Sequence, residues 1–121
     1  MKFKQANPEL TTLLEAQLAA YPVEARKMFG CPCFFLVGNM MAGVFEDYLF
    51  LRLPANDRET ALAADDEITA FDPLGGRPMR EYIQLAESTY SDEIRLADLI
   101  ESSHRYVSSL PPKKPKKQSK G

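Results

Sequence analysis

The fold is decided by the stretch from Val23 to Leu53, which reads VEARKMFGCPCFFLVGNMMAGVFEDYLFLRL. Its short apolar runs are rich in aromatic and branched residues, and turn-forming residues separate them at 30–32, 38–39 and 46–47. Such runs, with connections of two or three residues, are typical of an antiparallel β-meander. We therefore predict four consecutive strands, at residues 25–29, 33–37, 40–45 and 48–53.

Helical patterns flank the predicted meander on both sides. Before it, Asn7 can cap a helix that continues to Tyr21 with leucines at helical spacing. After it, the sequence predicts a short helix, two strands and a last helix, at residues 58–64, 68–71, 79–85 and 92–108. This order predicts an α+β two-layer sandwich, in which an antiparallel β-meander sheet packs against the N-terminal and C-terminal helices.

Composition and charge are those of one folded domain with a short tail. The chain has 121 residues, of which 45% are hydrophobic and 26% are charged, and we assign the domain to residues 1–110. Residues 111–121 are rich in lysine and proline, which predicts a disordered tail. The formal net charge is −2, and five of the 15 basic residues lie in the tail. The domain itself is therefore acidic and should repel nucleic acid.

No apolar run in the sequence is long enough to cross a membrane. The N-terminus has a basic start, but no apolar stretch follows it, so we expect no secretory signal. A cytoplasmic location is the prediction.

Residue types that carry chemistry are few. Cys31 and Cys33 are the only cysteines, so they cannot complete a tetrahedral metal set, and we interpret them as a turn residue and a strand-core residue. His104 lies on the apolar stripe of the predicted last helix, where a packing role fits better than acid–base catalysis. We therefore expect no catalytic residue, no metal ligand and no cofactor.

Three kinds of binding surface stay open. The second strand is apolar on both faces, so an uncovered face indicates a protein partner or a homodimer. The candidate residues of that interface are Phe34, Leu36, Tyr48 and Phe50. A small enzyme or ligand-binding protein would instead use a pocket, with candidate residues Arg26, Arg80 and Tyr82. The tail offers weak nucleic-acid contact, with candidate residues Lys113, Lys114, Lys116 and Lys117.

A combination of motifs resembles a known family. The motifs are RKMFG at 26–30, GNMMA at 38–42, DYLFLR at 47–52 and MREYIQL at 79–85. In this order, and with a closing helix after them, they are similar to the TfoX (Sxy) N-terminal domain family over about residues 10–108. The most specific run consists of Arg26, Lys27, Met28, Phe29 and Gly30. Cys31 and Ala86 stand where that family usually has a glycine and a proline, and neither departure affects the expected fold.

The resemblance implies a compact α+β domain that is found mainly in bacteria and has no established catalytic residues or cofactor. The family's namesakes regulate competence for DNA uptake, and in them a second, C-terminal domain follows, whereas we expect this chain to be a single-domain member. We therefore expect a non-enzymatic regulatory or protein-binding domain, with a link to transcriptional or competence regulation as the family's contribution to that expectation.

Overall fold

The computed structural model describes residues 6–28, 30–73, 75–76 and 78–112. Its strands are β1 (Glu24–Met28), β2 (Cys31–Leu36), β3 (Asn39–Phe45), β4 (Tyr48–Arg52), β5 (Ile68–Ala70) and β6 (Tyr82–Leu85). Its helices are α1 (Pro8–Leu18), α2 (Ala55–Ala64), α3 (Glu87–Tyr90) and α4 (Glu93–Ser109). The six strands of the described residues form an antiparallel sheet in the order β1-β2-β3-β4-β6-β5. The predicted α+β fold is confirmed.

Helices α1 and α4 pack against one side of the sheet, which we call the helix face. One side of α1 carries Leu10, Leu14 and Leu18 at intervals of four positions. All three are buried against the sheet, as is typical of an amphipathic helix. The main contributions from α4 are Leu96, Ile100 and Val107. Strand residues of this core include Phe34, Leu36, Val44, Leu49, Leu51, Ile83 and Leu85. The two longest helices, α1 and α4, therefore cover this face.

The opposite side of the sheet, which we call the aromatic face, is covered in the described part of the chain by residues that follow β5. Its buried residues are Cys33, Phe35, Phe50, Phe71 and Tyr82. Phe71 follows β5 and folds back so that its ring stacks on Phe50, while the Phe71 carbonyl accepts a hydrogen bond from the Met79 N–H at 2.8 Å. Phe71 and Met79 are thereby held together over the aromatic face.

An irregularity in β3 brings the sheet against α4. The register between β2 and β3 shifts after Phe34, so that Phe35 pairs with Met40 and Phe34 pairs with Ala42. Met41 and Ala42 consequently both lie in the core of the helix face, against the usual alternation of a strand. The Ser103 hydroxyl, which is completely buried, donates a 3.4 Å hydrogen bond to the Met41 carbonyl.

The turn between β3 and β4 is hydrogen-bonded to the start of α1 and to the end of α3. Asn7 caps α1 through its side chain, and its own N–H donates to the Glu46 carbonyl at 2.9 Å. Its side-chain amide also donates to Asp47 Oδ1 at 3.1 Å. From the other direction, the Tyr90 hydroxyl donates to the Asp47 carbonyl at 3.1 Å.

Two sequence predictions about local structure were wrong. Cys31 is the first residue of β2, paired with Met28, and is therefore not a turn residue. The strand predicted at 79–85 begins only at Tyr82, because Glu81 adopts a left-handed backbone with φ +72°. That conformation breaks the alternation, so that Met79 packs against the aromatic face while Ile83 and Leu85 remain on the helix face.

Candidate functional site

The β1 strand forms one edge of the sheet and is exposed along its whole length. All five residues from Glu24 to Met28 are exposed, and β1 has β2 as its one strand neighbour in the described part of the chain. The opposite edge, β5, has three residues and begins with the buried Ile68. The longer and more accessible edge is therefore β1.

The hairpin register indicates which backbone groups of β1 face outward. Met28 pairs with Cys31 across a two-residue connection, and the pair that closes such a hairpin is hydrogen-bonded. Along an antiparallel ladder, hydrogen-bonded and non-hydrogen-bonded pairs alternate. The N–H and C=O groups of Ala25 and Lys27 therefore point away from β2, toward the open edge.

Arg26 is displayed on the aromatic face of this edge and is not buried under the turn. One guanidinium nitrogen lies 2.9 Å from Glu24 Oε1, and the guanidinium carbon lies 4.8 Å from the centroid of the Phe35 ring. The Arg26 side chain nevertheless keeps 43% of its surface exposed. A cation resting on an aromatic ring is held in place without losing its ability to bind an anion.

The other residues of the RKMFG motif lie along the same edge or beside it. Lys27 and Met28 are exposed, and Gly30 occupies the turn with φ +78°, a backbone conformation that glycine adopts without strain. Phe29 lies outside the described residues. The motif therefore coincides with the exposed edge strand and its turn.

Arg80 and Tyr82 line an open cleft of about 570 Å³ at the far end of the sheet, together with Arg58, Leu62 and Met79. Arg26 is not among the residues that line it. The structure thus brings together two of the three residues named for a pocket and places the third at the opposite edge of the sheet.

The polar groups beside this cleft are engaged with each other. Arg52 Nε lies 2.8 Å from Glu81 Oε1, and its guanidinium carbon lies 5.6 Å from the centroid of the Tyr82 ring. The Tyr82 hydroxyl donates a 3.0 Å hydrogen bond to the Met40 carbonyl. Arg58 donates a hydrogen bond to the Leu53 carbonyl. These contacts fix the end of the sheet.

Two ionisable groups at the cleft, Tyr82 and Glu81, have pKa values shifted away from neutral pH. Burial raises the pKa of Tyr82 to about 12. Burial alone would raise the pKa of Glu81, but hydrogen bonds from Arg52 and Tyr106 outweigh it, and the pKa of Glu81 is lowered. Efficient general acids and bases have a pKa near the working pH. Neither the pKa of Tyr82 nor that of Glu81 is shifted toward that range.

The candidate interface residues fall into two groups. Phe34 and Leu36 are each 4% exposed beneath the helices, and Phe50 is 2% exposed beneath Phe71. Tyr48 is 36% exposed at the start of β4. The sheet thus offers Tyr48 as contact surface, while the other three residues build the two cores.

Neither cysteine is prepared for chemistry. Cys33 is buried in the aromatic face, and burial, followed by the nearby Cys31, raises its pKa to about 11. Burial also raises the pKa of the Cys31 thiol. Reactive cysteines have a lowered pKa, because the thiolate is the nucleophile. Among the described residues, no group of three or more His, Cys, Asp or Glu side chains is placed to hold a metal ion.

His104 packs against Tyr21, which lies three residues after the end of α1. Its ring centroid lies 4.6 Å from that of Tyr21, and its Nε2 lies 3.4 Å from the Ser108 hydroxyl. The tail lysines, Lys113, Lys114, Lys116 and Lys117, lie outside the described residues. Across the part of the chain that the structure describes, no helix combines the length and apolarity needed to span a membrane.

Sequence reasoning missed Glu24, Arg52, Glu81 and Phe71. Glu24 and Arg26 are two positions apart on a strand, which places them on one face, and that spacing was available as a signal. The Arg52–Glu81 pair joins positions 29 apart, and Phe71 reaches the sheet through a loop, so no periodicity connects them to their partners.

Comparison with known proteins identifies the family to which this fold belongs. The comparison with curated proteins found no match. The family model of the TfoX N-terminal domain matches residues 16–106, which extend from the last turn of α1 to most of α4. Since the match covers well over half of the chain, this protein belongs to the TfoX N-terminal domain family.

Proposed function

We propose that this domain is a non-enzymatic regulatory module that works by binding protein, with β1 as the binding strand. The carrying observation is the exposure of all five residues of β1 at a sheet edge. Strand addition at such an edge supplies main-chain hydrogen bonds for affinity and uses alternate side chains for selection. On β1 the selecting side chains are Glu24, Arg26 and Met28 on the aromatic face.

The rest of the sheet supports the choice of an edge over a face. Helices α1 and α4 cover the helix face, while Phe71 and Met79 pack against the aromatic face. A partner that docks flat on the sheet would have to displace one of these layers. A partner that adds a strand to β1 displaces nothing.

The experiment compares the whole chain with two variants at position 25. Ala25→Pro removes an N–H that points outward, so it should spare the β1–β2 hairpin and block strand addition. Ala25→Val keeps that N–H and serves as the matched control. A partner recovered from the native host, identified and purified, should bind the wild-type chain and Ala25→Val alike. Its binding to Ala25→Pro should be weaker by about tenfold or more.

Circular dichroism of each variant checks that the fold is intact. Equal binding by folded Ala25→Pro would overturn the role of the edge. Turnover of a small molecule by the wild-type chain would overturn the non-enzymatic role.

A second candidate function is a small ligand-binding protein or enzyme that uses the cleft at the sheet end. The observation that favours it is the presence of Arg58 and Arg80 around the same cleft as Tyr82, which suits an anionic ligand. Calorimetric titration with small phosphates and carboxylates tests it, with Arg80→Ala against Arg105→Ala, an exposed arginine on α4, as the control. Binding that Arg80→Ala alone abolishes would favour this function.

Nucleic-acid contact through the basic tail is supported by the sequence alone. It predicts binding that falls steeply with salt and that is lost when residues 111–121 are deleted. Fluorescence anisotropy with a labelled duplex measures both effects.

A further inference from the structure

We infer that the strand added to β1 is the β1 strand of a second copy of this chain, paired antiparallel with Ala25 on the two-fold axis. The inference rests on the proposed function, because it names the occupant of the same edge. The result is a continuous sheet that passes from one copy into the other, with the helices of both copies on the same side.

Symmetry restricts the pairings that this edge allows. A two-fold axis perpendicular to the sheet keeps the helix faces together, and it requires one residue of β1 to lie opposite its own copy. If that residue is Ala25, its outward N–H and C=O groups make two reciprocal hydrogen bonds across the axis. Ala25 also has the smallest side chain on β1, so the close approach at the axis meets no obstruction.

The charges on β1 select the same pairing. With Ala25 on the axis, Glu24 of each copy lies opposite Arg26 of the other, on the aromatic face. With Arg26 on the axis, the two copies of Arg26 would face each other. With Glu24 on the axis, two glutamates would face each other, and with Lys27 there, two lysines would. Opposite charges directly across an antiparallel pair are favourable and like charges are unfavourable. Of these four pairings, the one centred on Ala25 places opposite charges across from each other.

In the structure, the side chains of Glu24 and Arg26 already lie on the side of β1 that this pairing requires. The Arg26 guanidinium carbon lies 4.8 Å from the Phe35 centroid and one of its nitrogens lies 2.9 Å from Glu24 Oε1, so both charged groups are on the aromatic face at the edge. On the helix face, Ala25 and Lys27 are exposed, so neither helix overhangs β1. Lys27 would lie opposite Val23 of the second copy, where it meets no like charge.

Sedimentation equilibrium of the full chain, from about 10 µM to about 1 mM, tests self-association. We expect reversible dimers for the wild-type chain. Glu24→Arg places arginines opposite each other, and Arg26→Glu places glutamates opposite each other, so each variant should weaken dimerisation about tenfold or more. Arg105→Gln, at an exposed residue of α4 outside β1, is the control and should change the dimer constant less than about twofold.

Two recombined forms make the test specific for this pairing. The double variant Glu24→Arg with Arg26→Glu restores both opposite-charge pairs and should recover dimerisation. An equimolar mixture of the two single variants should form a heterodimer, because one copy then presents two arginines and the other two glutamates. Failure of both recoveries, with folded proteins, would overturn the pairing centred on Ala25.

The outcomes separate this inference from the proposed function. A wild-type chain that remains monomeric at about 1 mM removes the second copy as occupant. If Ala25→Pro still loses a purified partner in that case, the edge remains a protein-binding strand. If the wild-type chain dimerises and no variant on β1 affects it, the inferred surface is wrong.

Discussion

The ring of Phe71 lies on the ring of Phe50 with centroids 4.2 Å apart and planes 13° apart, so a residue outside the sheet closes the sheet's aromatic face. Phe45 completes the arrangement, because its ring and that of Phe71 form a T-shaped pair with 5.7 Å between centroids. Phe50 is thereby reduced to 2% exposure. This stack answers the question of what covers the apolar face that the helices leave free.

Replacing Phe71 with alanine should therefore destabilise the domain by about 3 kcal/mol, because it removes a large buried side chain and uncovers Phe50. Urea unfolding followed by circular dichroism measures the loss. Leu62→Ala, on α2 and 38% exposed, is the control and should cost much less. Similar losses for the two variants would mean that the Phe71 segment contributes no more than a surface contact.

Gly43→Ala should destabilise the domain by about 2 kcal/mol, because a Cβ at this position would lie 2.3 Å from Phe50 Cζ and 2.9 Å from the Pro32 carbonyl oxygen. In a Phe50→Leu background the clash with the ring disappears, so Gly43→Ala should cost less there. The two single variants and the double variant form a cycle, measured by urea unfolding. Strict additivity of the two changes would show that the Phe50 ring is not what excludes a side chain.

Glu81→Gln should flatten the loss of stability in acid. The ordinary pKa of 4.5 is lowered in the folded domain, so the stability that ionised Glu81 contributes is present above pH 4.5 and is lost as pH falls through the folded pKa. The variant should be less stable than the wild type by about 1 kcal/mol at pH 7, and the two should converge in acid.

Urea unfolding at a series of pH values measures that convergence. Glu101→Gln is the matched control, because the Glu101 side chain is 63% exposed and pairs with Arg105 on the surface of α4. A difference between wild type and Glu81→Gln that stays constant from pH 7 into acid would contradict the assignment.

Asn7→Ala should cost about 1 to 2 kcal/mol, because it removes the cap of α1 and the amide bond to Asp47 together. Thr12→Ala is a suitable control, since Thr12 is exposed on the same helix and its hydroxyl donates to the Pro8 carbonyl. Thermal unfolding of both variants compares them. Equal midpoints would show that the cap and its link to the turn contribute little.

The strands of the meander were predictable because their turns carry local signals. The connection at Val37 and Gly38 has positive φ at both residues, 44° and 83°, and the connection at Glu46 has φ 56°. Short connections of this kind fix the register of a hairpin, and the alternation then assigns each side chain to a face. Sequence therefore predicted most of the sheet to within two residues.

What covers each face was not predictable in the same way. Phe34 and Leu36 looked uncovered in sequence, because alternation assigns residues to a face without showing how far a helix extends over it. In the structure α4 reaches β2 and buries both. The bulge at Met41 shifts the strand register by one residue, and the left-handed backbone at Glu81 shifts the start of β6. Neither position is a glycine, so the sequence carries no signal for the irregularity.

The sequence predicted the motif on the candidate edge but not that β1 lies at an edge of the sheet. The RKMFG motif marked Arg26, but whether the arginine was buried or displayed depended on the place of β1 in the sheet. An edge position follows from the pairing of β4 with β6, which joins residues 30 to 36 positions apart. Pairings at that distance leave no periodic signal.

The turn between β3 and β4 has a consequence for the order of folding. Its hydrogen bonds to Asn7 and Tyr90 span 40 and 43 positions, whereas the hairpin that forms the turn is local. Local contacts form early at small entropic cost, and distant ones await a partner that is already in place. Both helical ends should therefore dock after the barrier is crossed, so that loosening Asn7 accelerates unfolding in stopped-flow experiments and leaves the folding rate nearly unchanged.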